Sequence, residues 1–378
     1  MVTVALDGRG AERGPKAIVA GARAAAADGI RVRVFGDPEA LAELEGADPA
    51  ELIPAAEEIT NEEEPVSAVR SRPQASVVMA ARDVAEGRSQ ALVSAGSTGA
   101  TMTAALFALR RMQGIRRPAL AVQLPVPGRA GPPPLLLDVG ANNDARALDL
   151  VQFAHLGAAF SEAVLGVREP RVALLSVGEE PGKGRRDVVE AHGRLEELTR
   201  HGARQPVDDG ARVAGGAEQP VLGFHFVGNV EGRDVLGEAA DVIVTDGFTG
   251  NVVLKTVEGT AETVGEAVRA AARSGPRAAT GGLLLRRALG GLRRRMDPNA
   301  TGGAILLGLR EVAVVGHGSS GPDGIANAVR LAARAVEERA IERTAALLER
   351  SGAGRGALRG DSGREPREPS AEPDTQTA

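Results

Sequence analysis

The sequence predicts an α/β fold: a mostly parallel sheet flanked by helices, Rossmann-like in outline. Three observations carry this. Short β-branched apolar runs alternate with helical patterns of small apolar residues along most of the 378 residues. Most of the runs stop at a glycine turn that also carries Asp, Asn, Ser or His. One stretch, DVIVTDGFTGNVVLK at 241–255, shows the whole unit, with a buried-type strand, an acid and glycines, then a helix start.

Taken in order, residues 1–37 read as strand (Val2–Leu6), glycine-rich turn, helix (15–28) and strand (Arg31–Phe35), one βαβ unit. Residues 38–75 are acidic and proline-punctuated and read as a solvated excursion before a helix at 76–86. A strand ending at Ser94 leads into a small-residue helix, 116–126 is another strand, and 135–145 is strand and turn. A helix at 148–165 precedes the strand and glycine-bracketed loop of 171–184. Residues 185–220 read as a helix and a polar surface loop, and 224–234 as a short strand and turn. In the opening stretch Asn251 is expected to cap the helix that follows, over about 252–272. Residues 275–300 form a distinct segment, 311–320 is the last strand and turn, and one helix over 322–350 closes the fold. The expected organisation is one α/β unit over 1–350, with 252–300 as a helical segment for dimer or membrane contact, and a disordered tail at 351–378.

Composition narrows the function. Aromatic residues are 2% of the chain, with neither Tyr nor Trp, which argues against nucleic-acid binding by stacked bases. Cysteine is absent, which removes disulfides, thiolate metal sites and a thiol nucleophile. No basic stretch followed by an apolar one opens the chain, and no run of about 18 apolar residues occurs, so neither a signal peptide nor a membrane span is expected. A cytoplasmic setting fits. Lysine stands only at 16, 183 and 255, and the other 42 of the 45 basic residues are arginine. Each lysine lies near glycine, proline or asparagine, and a compact ammonium is not interchangeable with a guanidinium at a tight anion site.

In a parallel sheet, ligands bind at the carboxyl ends of the strands. The strand ends here carry Asp7, Ser94–Gly96, Asp138–Asn142, Gly178–Glu180, Gly228–Asn229, Asp246–Gly247 and Gly316–Ser320, and are expected to converge on a common site. No Walker loop, nucleophile elbow or Cys/His metal spacing accompanies them. Amides, hydroxyls, Lys183 and His317 suit the binding of a small oxyanion and the stabilisation of charge at a carbonyl. Inorganic phosphate fits, because it is already an anionic nucleophile and needs a cradle of donors more than a strong base. His155, His192, His201 and His225 lie on helix or loop patterns and are expected to take no chemical part. A metal held by Asp7, Asp138 and Asp246 is the less favoured reading; no metal and no cofactor are expected. The segment 280–296, TGGLLLRRALGGLRRRM, has the composition of an interfacial amphipathic helix, a dimer-contact helix or a docking face for an acidic partner.

The motifs SAGSTGA (94–100), LLDVGAN (136–142), GEEPGKG (178–184), VGNVEGRD (227–234), DGFTGNVVLK (246–255), TGGAILLGL (301–309) and HGSS (317–320) resemble, in order, the phosphate acyltransferase of bacterial phospholipid synthesis, the PlsX family. The resemblance covers about residues 1–345. It implies conversion of long-chain acyl–acyl carrier protein and inorganic phosphate to acyl phosphate and free carrier protein, feeding a glycerol-3-phosphate acyltransferase. It also implies the fold of phosphate acetyltransferases and isocitrate dehydrogenase, and a cytoplasmic homodimer peripherally attached to the membrane. Lys183 and His317 fall on the family's Gly-Lys-Gly and His-Gly-Ser-Ser motifs and are the expected catalytic residues. Ser94, Gly96, Ser97, Thr98, Asn142, Asn229, Asp246, Gly247 and Asn251 fall on motifs expected to bind phosphate or substrate. The first turn departs from the family's Asp-Ala-Met-Gly-Gly-Asp, since Arg9 and Glu12 stand in it while Asp7, Gly10 and Pro15 remain. Three alternatives stand beside this reading. They are an acetyltransferase-like enzyme using acyl–coenzyme A, a metal- and nicotinamide-dependent hydroxyacid dehydrogenase, and a non-catalytic scaffold at the membrane surface.

Overall fold

The computed structural model describes residues 1–46, 48–202, 223–295, 297–351 and 353. In chain order the strands are β1 (Thr3–Asp7), β2 (Arg31–Gly36), β3 (Ala50–Pro54), β4 (Ala91–Ser94), β5 (Ala119–Gln123), β6 (Leu135–Leu137), β7 (Arg171–Leu175), β8 (His225–Val230), β9 (Val242–Val244), β10 (Ala304–Leu307) and β11 (Val312–Val315). The helices are α1 (Pro15–Ala27), α2 (Pro65–Ser71), α3 (Ser76–Ala85), α4 (Thr98–Ala108), α5 (Ala147–Leu165), α6 (Arg186–Gly202), α7 (Gly247–Ala272), α8 (Pro276–Arg295), α9 (Pro322–Glu337) and α10 (Ala340–Arg350).

All these strands join one sheet, in the order β3-β2-β1-β4-β11-β10-β5-β6-β9-β7-β8. The inner strands are short and buried on both sides, so alternate residues feed two cores. On β1, Val4 and Leu6 face the core that holds Ile18, Phe153 and Val329, while Ala5 faces the one that holds Val77, Ala80 and Ala104. Helices α1, α5 and α9 cover the first face, and α3 and α4 the second. Helix α5 is buried almost throughout and ends where Gly166 turns left-handed at φ 74°.

Pairing is mostly parallel, with antiparallel steps at β11–β10, β10–β5 and β5–β6. Followed across the sheet, these steps leave β6, β9, β7 and β8 running opposite to β3, β2, β1, β4 and β11. The carboxyl ends of the two sets therefore do not share one edge, and the expected single ring of strand ends is replaced by two groups.

Other expectations are corrected as well. The 38–75 excursion contains edge strand β3 and helix α2. The closing helix is two helices, broken where Arg339 takes φ 52°. Strand β10 lies within the glycine motif of 301–309. The expected tail begins too early, because Ser351 and Ala353 are buried and the Ala353 carbonyl accepts from the Gln152 amide at 2.9 Å. The rest of that tail and most of the 202–220 loop lie outside the described residues.

Candidate active site

The first group gathers at β1, β4 and β11. Ser94 is fully buried, and its hydroxyl donates to Asp7 Oδ2 at 2.8 Å while receiving the Gly96 N–H at 3.1 Å. Thr101 Oγ1 lies 3.0 Å from the same hydroxyl. Burial pushes the Asp7 carboxyl up to about 6, against the hydrogen bonds that would lower it. Ser97 caps α4 by accepting the Ala100 N–H, which leaves Thr98 exposed at the first helical position. Gly10, at φ 77°, sits where a Cβ would strike the Gly96 Cα, so the loop after β1 and the turn after β4 pack backbone to backbone.

His317 follows β11 into this group, and the preceding Gly316 N–H donates to the Ser94 carbonyl at 2.7 Å. The His317 Nδ1 accepts from the Ser319 N–H at 3.3 Å and lies 2.7 Å from the Ser319 hydroxyl. Nδ1 is thus an acceptor, and the proton sits on Nε2. That nitrogen faces Glu258 Oε2 of α7 at 4.0 Å, and Glu258 also pairs with Lys255 Nζ at 2.8 Å.

The second group gathers at β6, β9, β7 and β8. Asp138 is fully buried and accepts from the N–H groups of Leu120, Gly140, Ala141 and Asn142 at 2.7–3.3 Å. Burial pushes its carboxyl up, while these donors pull the other way. The Asn142 amide nitrogen donates to Asp138 at 2.8 Å and to the Pro118 carbonyl at 2.7 Å, so both its protons are spent inside the protein. The Gly247 N–H reaches the Asn142 carbonyl at 2.7 Å. A Cβ at Gly250 would drive into the Asp138 carbonyl, so this helix start seats against the β6 loop only with glycine there.

Asn251 does not cap α7. Asp246 does, accepting from the Thr249 N–H and hydroxyl, each at 2.9 Å. The Asp246 carboxylate places the chain's own negative charge at the positive helix end. Arg185 answers it at 3.3 Å. Asn251 lies one turn inside the helix, exposed, with its side-chain oxygen toward Gly140.

Beside this group runs the loop after β7. The Lys183 side chain is exposed and passes close over Gly178. Its backbone is tied at both ends: the N–H donates to the Glu180 carbonyl at 3.0 Å, and the carbonyl accepts from the Ser176 hydroxyl at 2.9 Å. Asn229 Nδ2 donates to the same Glu180 carbonyl at 3.0 Å. Asn229 Oδ1 lies 2.9 Å from His192 Nδ1. Sequence reasoning gave His192 no part, because a histidine on an amphipathic helix carries no signal of the strand it will meet.

Helix α7 touches both groups. It starts against the Asp138–Asn142 loop and, at Glu258, about 17 Å along its axis, meets His317. The first group offers exposed Thr98 and the Nε2–H of His317, and the second exposed Lys183 and Asn251 with a guanidinium at Arg185. These groups suit holding an oxyanion and stabilising charge beside it.

Comparison with known proteins gives the family. A family model described as "Fatty acid synthesis protein" matches residues 2–343. The phosphate acyltransferase of Heliobacterium modesticaldum is 41% identical over 345 residues, covering 89% of this chain and 95% of that protein. The one from Thermobifida fusca is 43% identical over 333 residues, covering 87% and 86%. Among solved structures, a phosphotransacetylase from Streptococcus pyogenes superposes with a TM-score of 0.54 at 17% identity, over 89% of this chain and 94% of that one. A branched-chain phosphotransacylase from Enterococcus faecalis gives 0.52 at 17% identity, over 89% and 99%. The structural matches establish the shared fold.

Proposed function

For a chain that belongs to the fatty acid synthesis protein family and is a phosphate acyltransferase, we propose that the Lys183 loop and the His317 turn serve the transfer itself. The reaction takes acyl–acyl carrier protein and inorganic phosphate to acyl phosphate and free carrier protein, in phospholipid synthesis. A phosphate oxygen attacks the thioester carbonyl carbon; a C–O bond forms, the C–S bond breaks, and the carrier thiolate takes up a proton. The difficulty is charge, since a dianion approaches a carbonyl on which a second oxyanion develops. Lys183 offsets the phosphate charge, and His317 donates from Nε2 to the developing oxyanion. Thr98, Asn251 and the N–H groups at the start of α4 contribute donors. Asp246, Gly247, Asn142, Asn229, Ser94, Gly96 and Ser97 hold the loops that present them. Residues 1–350 act as one unit in this reading.

The observation that carries the reading is Lys183: an exposed ammonium, without an ion-pair partner among the described residues, on a loop tied at both ends. The test is incubation with palmitoyl–acyl carrier protein, with and without phosphate, trapping product with hydroxylamine and counting released thiol. Wild type releases thiol only with phosphate. Lys183→Ala and His317→Ala each lower kcat/KM by about 10²–10³. Turnover that survives both substitutions in one chain removes the assignment. Thiol release without phosphate points to a thioesterase, and turnover of short acyl–coenzyme A alone to the acetyltransferase reading.

No helix among the described residues is long and apolar enough to cross a membrane. Helices α7 and α8 pack on one another and expose Val252, Val264, Leu283, Leu284 and Leu285. This exposed apolar surface supports a homodimer contact, peripheral attachment at the cytoplasmic face of the membrane, and delivery of product there to a glycerol-3-phosphate acyltransferase.

A further inference from the structure

Strand β8 departs from regular pairing beside the Lys183 loop. Val172 of β7 pairs with Phe226 and the next residue, Ala173, with Gly228, so Val227 is an extra residue, a β-bulge. Bulges re-aim the side chains that follow them. Gly228 takes φ 93°, and Asn229 points its amide between α6 and the loop after β7. The amide orientation there is fixed by chemistry. A backbone carbonyl only accepts, so the group facing Glu180 is Nδ2 and the group facing His192 is Oδ1. An amide oxygen only accepts, so His192 Nδ1 carries a proton and donates it. His192 is 4% exposed, and its ring stands edge-on to Phe226, with centroids 5.2 Å apart. The imidazole has no freedom to turn away.

We propose that His192 is a positioning residue for the transfer. Through Asn229 it fixes the Glu180 carbonyl, and through that carbonyl the backbone of Lys183. Each link is a hydrogen bond of 2.9–3.0 Å, from His192 to Asn229, from Asn229 to Glu180, and from the Lys183 N–H to the same Glu180 oxygen. Lys183 reaches solvent on four flexible methylenes, so its ammonium is placed by where its backbone is held. If Asn229 is free to rotate, one of the two donors on the Glu180 carbonyl is lost and the loop loosens. This inference rests on the reading of Lys183 as the residue that meets phosphate.

The test is a set of variants at one position. His192→Leu keeps the volume and removes the donor, whereas His192→Asn places an amide N–H where the Nδ1–H stood. His192→Leu is expected to raise the phosphate KM about tenfold with a smaller change in kcat, and to speed amide hydrogen exchange over residues 178–185. His192→Asn is expected to recover most of both. In a Lys183→Ala background, His192→Leu is expected to change turnover by less than about twofold, because the residue acts through Lys183. If His192→Leu leaves exchange and phosphate KM as in wild type, or if the two substitutions lower turnover independently, the relay is overturned. Loss of activity in His192→Leu and His192→Asn alike, in folded protein, also overturns it. Wild-type turnover in Lys183→Ala overturns the underlying reading, and with it the relay's link to the reaction. The exchange measurement decides separately whether His192 holds the loop.

Discussion

Asp7 is 4% exposed, and burial is the largest influence on its carboxyl, moving it from 3.8 to about 6. Between those values the folded chain holds a proton that the unfolded chain has released. Stability contributed at this site therefore falls as pH rises from about 4 to about 6, and stays low above. The difference corresponds to about 3 kcal/mol at most. Asp7→Asn removes the titration, so its melting temperature relative to wild type should climb between pH 4.5 and pH 7.5; a difference that stays flat across that range contradicts the assignment. Among the candidate site residues, those with a distinctive local pattern could be picked out of the sequence. Lys183 stood out because lysine is rare, and His317 because glycines flank it. What each hydroxyl and amide bonds to was not legible. Ser94 and Asn142 spend their hydrogen bonds on neighbours that lie 87 and 24 residues away, at Asp7 and Pro118.

Helix α7 is held at its start by one side chain. Replacing Asp246 with Ala removes the acceptor for Thr249 and should cost about 1 kcal/mol in chemical denaturation. It also uncovers the positive helix end, so an anion present in the buffer should restore part of the loss. The sequence placed the body and end of this helix, set its start about a turn too late and chose the wrong cap, because Asn and Asp are near equals as caps and only the packing of Gly247 and Gly250 against the β6 loop decides between them. The hairpin of α7 with α8 leaves Leu284 80% exposed and Leu283 67% exposed. Changing Leu284 and Leu285 to Ser is expected to reduce co-sedimentation with anionic vesicles several-fold, following the apolar area lost. Unchanged sedimentation of the folded variant, with a shift from dimer to monomer by light scattering, would assign the face to the dimer instead. The side chains of Leu292 and Arg293–Arg295, which belong to the same segment, lie outside the described residues.

Across the whole molecule, the sequence reported the elements better than their directions. Alternation of strand and helix announced a parallel sheet. The reversal at β10, β5 and β6 had no local signature, because a four-residue strand reads alike in either sense and β10 sits inside a glycine-rich motif. The carboxyl-terminal boundary was missed for a similar reason. Ala353 looks like linker, yet its carbonyl closes a bond to Gln152 in the middle of α5. Ending the chain after Arg350 should therefore lower the melting temperature by a few degrees, whereas ending it after Ala353 should spare that contact. Finally, a protein with 42 arginines and three lysines is nearly blind to amine-selective reagents. Lys255 is engaged by Glu258, so acylating agents meet Lys183 and Lys16 as its open side-chain amines. A covalent label on such a chain reports on two places, the loop after β7 and the start of α1, and protection of the first by phosphate, with the second as internal control, could be read by mass without any substitution at all.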